Sequence, residues 1–420
     1  MSRVDLLAGI RIVDLSMGWA GPLATRHLAD MGAEILKVES CQRADWWRGW
    51  ETSQAWVDDD MAEKAVPFNT VNRNKLDITL DLTREEGVDL LKRLVAQADA
   101  VIENFSGGVL PKLGLDYGVL KAVNPELIMV SMPAFGSTGA WKDYRAYGST
   151  VEQASGLPHL HGRSEDPPVM LHVAYGDPVA GVNGAAALLI ALRHKKRTGQ
   201  GQYIDLSQPQ CLFPLGAHGI IEQSVTGEAP ARLGNRHASF APHGVFPCTV
   251  GPGTGGQAPG EDQWISIQVF NEAQWQALQR LAAPALDDFG DTADRLANVD
   301  ALESALSAWT ASHNREALMQ LLQQEGVPAG AVRGANELVH DRHLQSRRFW
   351  QTLDRAFVGP MPHPSVAYRE GAAPYPLQAP APTLGQHNQQ ILTDLLGLGT
   401  SELHQLAEQG VIGEKPIIQG

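Results

Sequence analysis

Cysteine is scarce in this chain of 420 residues: Cys41, Cys211 and Cys248 lie far apart and in no metal-ligand spacing. That excludes a disulfide scaffold and a cysteine metal cluster, and it suits a reducing compartment. Positive charge is also short. Lys and Arg number 33 against 47 Asp and Glu, a formal net charge of −14, which argues against non-specific binding to nucleic acid or anionic membranes. A local basic pocket for a phosphorylated ligand stays open. No helical apolar run reaches the roughly 20 residues that span a bilayer. The longest, 179–192, carries Asn183, and residues 1–7 hold no signal-peptide core. A cytoplasmic protein with no membrane or nucleic-acid partner is expected. No P-loop or Ser-His-Asp signature occurs, and the first strand-helix turn (16–22) lacks phosphate-binding glycine spacing. Gly251, Gly253 and Gly256 imitate a dinucleotide fingerprint, but a strand follows where a helix is required, so this stretch reads as a hairpin loop.

What is present is an ordinary globular composition, 43% hydrophobic and 19% charged, in a chain too long for one small core. β-branched runs at 10–15, 35–38, 100–102, 127–130 and 203–206 read as strands. Helical periodicity follows Pro22 (Leu23, Ala24, His27, Leu28, Met31) and fills 85–98 (Val88, Leu91, Leu94, Val95). Strands alternating with helices imply a doubly wound, mostly parallel α/β sheet with ligands at strand C-termini. That large domain is expected over 1–225, completed by 375–420. A hairpin at 244–247 and 264–269 with helices to Glu325 suggests a smaller α+β domain at 228–345. Recurring prolines suggest an extended linker at 346–374.

Three stretches carry candidate chemistry. Asp177 precedes Pro178 and the longest apolar helix run, so it reads either as an N-cap or as a carboxylate activated among helix N–H groups. Trp46, Trp47 and Trp50, with Trp56 close by, form either a buried plug or one wall of an apolar pocket. Asn104, Phe105 and Ser106 follow a strand end and suit stacking on a planar group, or an ordinary turn. Lys112 and Arg145 are lone cations that could be solvated or could meet phosphates. His159 and His161 lack a third ligand, so no metal is expected.

Collinear segments together resemble the class III CoA-transferases, the group that includes formyl-CoA and crotonobetainyl-CoA transferases. They are Gly9-Ile10-Arg11-Ile12-Val13-Asp14-Leu15-Ser16 with Ala20-Gly21-Pro22, Leu28-Ala29-Asp30-Met31-Gly32-Ala33-Glu34 with Lys37-Val38-Glu39, and Asn72-Arg73-Asn74-Lys75. Glu103-Asn104-Phe105, Gly136-Ser137-Thr138-Gly139, Thr198-Gly199-Gln200-Gly201-Gln202 and Gly326-Val327-Pro328-Ala329-Gly330 continue the series. The likeness runs from about Leu7 to Ile412. It implies that Asp177 is the nucleophile and that the large domain is Rossmann-like and binds CoA. CoA and acyl-CoA would be substrates, with no tightly bound cofactor. The implied CoA contacts are Trp19, Ala20, Leu80 and Thr83 of segment 80–83, Asn104, Phe105, Ser106, Lys112, Arg145 and Tyr147. Trp50 and Tyr147 would face the acyl group. Ser40 and Thr83 stand where family members often place cations on the CoA phosphates, with Arg84 one position displaced. Ring-like chains interlocked as a homodimer are implied too, with a lid at 234–244 or 251–260.

The resemblance implies transfer of CoA from an acyl-CoA to a free carboxylic acid through aspartyl anhydride and aspartyl-CoA thioester intermediates. An α-methylacyl-CoA racemase shares the fold, but it places a histidine in the segment aligned with Tyr147, and a phenol is a poor replacement near neutral pH. An intramolecular CoA-transferase would use the same aspartate. A catalytically silent CoA-binding protein is disfavoured by the intact Gly176-Asp177 pair, and a nicotinamide oxidoreductase by the missing glycines.

Overall fold

The computed structural model describes residues 5–50, 53–171, 173–250 and 262–418. They divide into two compact units, Met1–Pro158 with Met170–Ile221 and Phe349–Gly420, and His159–Val169 with Glu222–Arg348.

The first unit is built on six strands: β1 (Arg11–Asp14), β2 (Glu34–Glu39), β3 (Leu76–Thr79), β4 (Ala100–Glu103), β5 (Ile128–Ser131) and β6 (Tyr203–Asp205). They pair in the order β3-β2-β1-β4-β5-β6, every pair parallel. The parallel α/β sheet expected from the sequence is therefore present. The order reverses at the β1–β4 neighbours, and in open α/β sheets ligands bind beyond the strand C-termini at such a point.

Alternating side chains feed two cores. Ile12 joins a cluster on one face, with Ala24 and Leu28 of α1 (Ala20–Ala29). Val13 joins the other, with Leu90, Leu91 and Leu94 of α2 (Glu85–Val95) and with Ile391 and Leu392 of the penultimate helix Asn388–Leu396. The short α3 (Gly148–Gln153) precedes α4 (Gly176–Thr198), whose Ala180, Ala185 and Leu188 pack with α1. That contact is close. A Cβ at Gly181 would lie 2.8 Å from the Ala20 carbonyl oxygen, and one at Gly184 would lie 2.9 Å from the Met132 sulfur.

The span 346–374 differs from the expected linker. Trp350–Arg355 and Gly359–Pro364 pair as an antiparallel hairpin, with Leu353, Arg355 and His363 buried. Pro360, Pro362 and Pro364 fall on alternate residues, so their missing N–H groups all lie on one side of the strand, away from the pairing.

In the second unit, β7 (His243–Cys248), β8 (Gln263–Gln268) and β9 (Ala329–Ala331) form an antiparallel sheet. Helices α5 (Glu272–Ala282), α6 (Val299–Thr310) and α7 (Arg315–Gln324) add Trp275, Leu278, Leu302, Leu306, Leu318 and Leu322 to its core. The glycine-rich stretch 251–256 and the longer lid candidate 251–260 lie outside the described residues. The other lid candidate, 234–244, belongs to this unit, where Arg236 is paired with Glu303 at 2.7 Å.

The α1–α4 contact yields a stability test. Gly181→Val places a branched side chain against the Ala20 carbonyl and should destabilise by about 1–3 kcal/mol, read as a lower thermal midpoint; an unchanged midpoint would mean the helices separate freely.

Candidate active site

Helix α4 begins two residues earlier than the cap reading of Asp177 requires. Tyr175 is the N-cap, Gly176 the first helical residue, and Asp177 lies within the first turn. Its carboxylate is therefore not spent on capping. It turns to Gly148, the first residue of α3, whose backbone N–H favours its ionised form. A Cβ at Gly148 would overlap that carboxylate, so glycine is required by close approach. Burial raises the Asp177 pKa to about 6, against the lowering effect of the Gly148 N–H. The group is thus a half-desolvated carboxylate that still ionises at neutral pH, which suits a nucleophile.

One residue from Gly148 stands the aromatic wall. Tyr147 packs edge-on to Trp46 and Trp50, with ring centroids 5.6 and 6.2 Å apart. Trp46 in turn lies 4.8 Å from Trp50, and Trp47 lies 5.2 Å from Trp19. Trp50 and Tyr147 are 71% and 60% exposed, so this is a surface-facing wall and no buried plug.

What fixes the wall is a set of buried charges that the sequence reading passed over as site residues. The Asp45 carboxylate accepts from the backbone N–H groups of Gly18 (2.8 Å) and Trp47 (3.0 Å). Its other oxygen meets Lys37 Nζ at 2.9 Å, with both side chains wholly buried. Lys37 also donates to the Ser16 carbonyl. Asp45 thus ties the β1–α1 turn to the tryptophan loop. A lysine inside the apolar run Ile35-Leu36-Lys37-Val38 was the available signal. Arg73 and Lys75, from the Asn-Arg-Asn-Lys segment, are likewise structural. Arg73 pairs with Asp30 at 2.7 Å and Lys75 with Asp14 at 3.0 Å.

A cavity of about 700 Å³ opens beyond the C-terminal ends of β1 to β4. Leu80, Thr83, Phe105 and Ser106 line it, as do Met17, Ser40 and Arg43. Asn104 is close by in sequence but is used otherwise: its side-chain amide holds Met17 through both main-chain groups, each at 2.8 Å. Ala20 is wholly buried at the start of α1. Lys112 and Arg145 are exposed and lie outside the residues lining the cavity. Arg84, the displaced cation, donates to the Gln409 carbonyl at 2.7 Å. Arg43 is the one Lys or Arg among the cavity's lining residues and makes no ion pair among the described residues. Nothing in its loop sequence singled it out. Among the described residues, no group of three or more His, Cys, Asp or Glu could hold a metal, His159 and His161 included.

The pH dependence follows from the environment of Asp177. A carboxylate whose pKa is raised to about 6 is lost as a nucleophile when pH falls through that value, and is fully ionised above it. Initial rates measured from about pH 3 to 8 should show an acidic limb near 6; a limb near 4 would mean the carboxylate is solvated as in a free peptide.

Comparison with known proteins agrees with this layout. The model of CoA-transferase family III matches residues 7–388. The chain is 32% identical over 410 residues to the succinyl-CoA–D-citramalate CoA-transferase of Chloroflexus aurantiacus, covering 97% of this chain and 98% of that one. It is 31% identical to the succinate–glutarate CoA-transferase of Agrobacterium fabrum, covering 94% and 96%. Among solved structures, a CAIB/BAIF family protein from Brucella suis superposes with a TM-score of 0.82 at 31% identity, over 94% of this chain and 100% of that one. The chain belongs to CoA-transferase family III and is an enzyme that moves CoA from an acyl-CoA to a carboxylate.

Proposed function

We propose that Asp177 carries the transfer covalently, that the donor is succinyl-CoA, and that the acceptor is an acid with a flat apolar body. The observation that carries the mechanism is the contact of the Asp177 carboxylate with the Gly148 N–H beside the aromatic wall. An Asp177 oxygen attacks the thioester carbonyl, giving a mixed anhydride and CoA thiolate. The thiolate attacks the aspartyl carbonyl, releasing the donor acid and leaving aspartyl-CoA thioester. The acceptor carboxylate then attacks that thioester, and the returning thiolate collects the acceptor acyl group, which frees Asp177. The Gly148 N–H and the first turn of α4 lie where negative charge develops.

The ligand follows the sheet edge in this reading. The CoA phosphates meet Arg43, adenine and pantetheine occupy the cavity lined by Leu80, Thr83, Phe105 and Ser106, and the thiol arm passes the Met17–Trp19 turn toward Asp177. Trp19, Ala20, Asn104, Lys112, Arg145 and Tyr147 border that path on the family resemblance. Succinyl-CoA as donor is supported by the names of the relatives, and the apolar acceptor by Trp46, Trp50 and Tyr147. The Rossmann-like domain is supported by the strand order. An interlocked homodimer is supported by the uncovered Val182, Leu189 and Ile190 on α4, 54%, 42% and 68% exposed.

Succinyl-CoA offered with a matched panel of aryl, branched and dicarboxylic acids should give ping-pong initial-rate patterns, with aryl acids ahead in kcat/KM. Asp177→Asn should lower the rate by at least about 10³-fold. Sequential patterns, or an active Asn variant, would refute covalent transfer. Preference for glutarate would refute only the apolar acceptor.

A further inference from the structure

Helix α3 is only six residues long, yet it meets the approach to Asp177 at both ends. Its first residue, Gly148, faces the carboxylate. Near its other end lies Glu152, 1% exposed and without a cationic partner among the described residues. An uncompensated buried carboxylate is unfavourable unless its acceptor oxygens are used. Both are used here. Oε1 accepts the Leu171 N–H at 3.3 Å, and Oε2 accepts the Tyr175 N–H at 3.1 Å. These two bonds straddle Ala174, which sits at φ +47°, a left-handed conformation that residues with a Cβ rarely adopt. The Ala174 carbonyl accepts the Asp177 N–H at 3.0 Å. Tyr175 is the N-cap of α4, so the place where the nucleophile's helix begins is fixed by this turn.

We infer that Glu152 is a positioning residue for the transfer reaction: its two oxygens clamp the strained turn at Ala174 so that α4 starts with the Asp177 carboxylate against the Gly148 N–H. The inference rests on the reading of Asp177 as nucleophile. Glutamate is needed at this position because a carboxamide offers one acceptor and one donor. In Glu152→Gln the NH₂ group would face a backbone N–H, and one of the two bonds would be lost with side-chain size kept. Glycine adopts the left-handed conformation freely, so Ala174→Gly removes the strain that the clamp holds.

The test is hydroxylamine trapping of the full-length enzyme with succinyl-CoA, following both the rate and the final stoichiometry of hydroxamate on Asp177 by peptide mass. Glu152→Gln should reach the wild-type stoichiometry about 10–100-fold more slowly, the scale on which misplaced reacting groups lose rate. KM for the acyl-CoA should stay within about twofold, since the cavity is untouched. Adding Ala174→Gly to Glu152→Gln should restore part of the rate. An unchanged labelling rate, or lowered stoichiometry with an unchanged rate in the surviving fraction, would overturn the clamp. So would absence of rescue by Ala174→Gly. If Glu152→Gln does not fold, Glu152→Asp keeps both acceptors on a shorter stem, and the same readouts decide. No hydroxamate on wild-type Asp177 would refute the nucleophile reading itself, a result distinct from wild-type labelling with no effect of the Glu152 variants.

Discussion

Gly148 has no side chain, and the space a Cβ would fill holds the carboxylate of Asp177. The rest of the site is arranged around that contact. Burial alone would push the carboxylate toward its neutral form, and the Gly148 N–H works against that, leaving a pKa of about 6. A fully solvated carboxylate would be ionised but stabilised by water, and a fully buried one would be protonated. The half-buried position at the first turn of a helix lies between these limits. Two close helix approaches keep it there, Gly181 against Ala20 and Gly176 against the Gly148 carbonyl, at 2.8 Å each for the absent Cβ atoms.

The aromatic wall depends on charges placed where charges are expensive. Lys37, Asp45, Glu39 and Arg48 are all buried, and Arg48 pairs with Glu39 at 2.8 Å and with Glu63 at 2.9 Å. Such pairs contribute little net stability, because desolvation offsets most of the Coulomb gain, yet breaking one costs about 3–5 kcal/mol. They act here as fasteners of geometry. Asp45 holds Gly18 beside Trp46, where a Cβ at Gly18 would collide with the indole. The base of the wall is therefore tied to the β1–α1 turn, while Trp50 and Tyr147 face outward. Glu103, at the C-terminal end of β4, is a further buried carboxylate. Burial raises its pKa to about 7, against hydrogen bonds from Ser131 and the Phe105 N–H, so near neutral pH the group that holds the Phe105 turn is divided between its two protonation states.

Four of the six sheet strands, β1, β2, β4 and β5, were legible because they are buried and read as apolar runs, and the exposed edge strand β6 was legible from Tyr203-Ile204-Asp205-Leu206 itself. β3 was not, since Asp77 and Thr79 interrupt its apolar run; both are buried because they bond to the C-terminal segment, as Asp77 does to the Gly385 N–H and Thr79 to the Gly413 carbonyl. The proline hairpin was misread because prolines at every second position look like a linker until their pairing partner is known. Asp177 stood out by its helix, but its cap role failed by two residues, a difference that local sequence does not specify. Trp50 and Tyr147 were placed together only through the family resemblance, and the structure supplies the reason, their common packing on Trp46. Lys37, Asp45, Gly148, Glu152 and Arg43 escaped because their roles depend on partners distant in sequence.

The most direct test of covalent transfer through Asp177 uses acceptor acid labelled with ¹⁸O in its carboxylate. If the acceptor attacks aspartyl-CoA thioester, one acceptor oxygen remains on Asp177 when the new acyl-CoA leaves, so in a single turnover the peptide carrying Asp177 gains one ¹⁸O, and later turnovers pass label on to the donor acid. The expected result is that label on this peptide alone among the enzyme's peptides, formed in the first turnover as fast as the new acyl-CoA. Transfer at full rate with an unlabelled Asp177 would contradict the account.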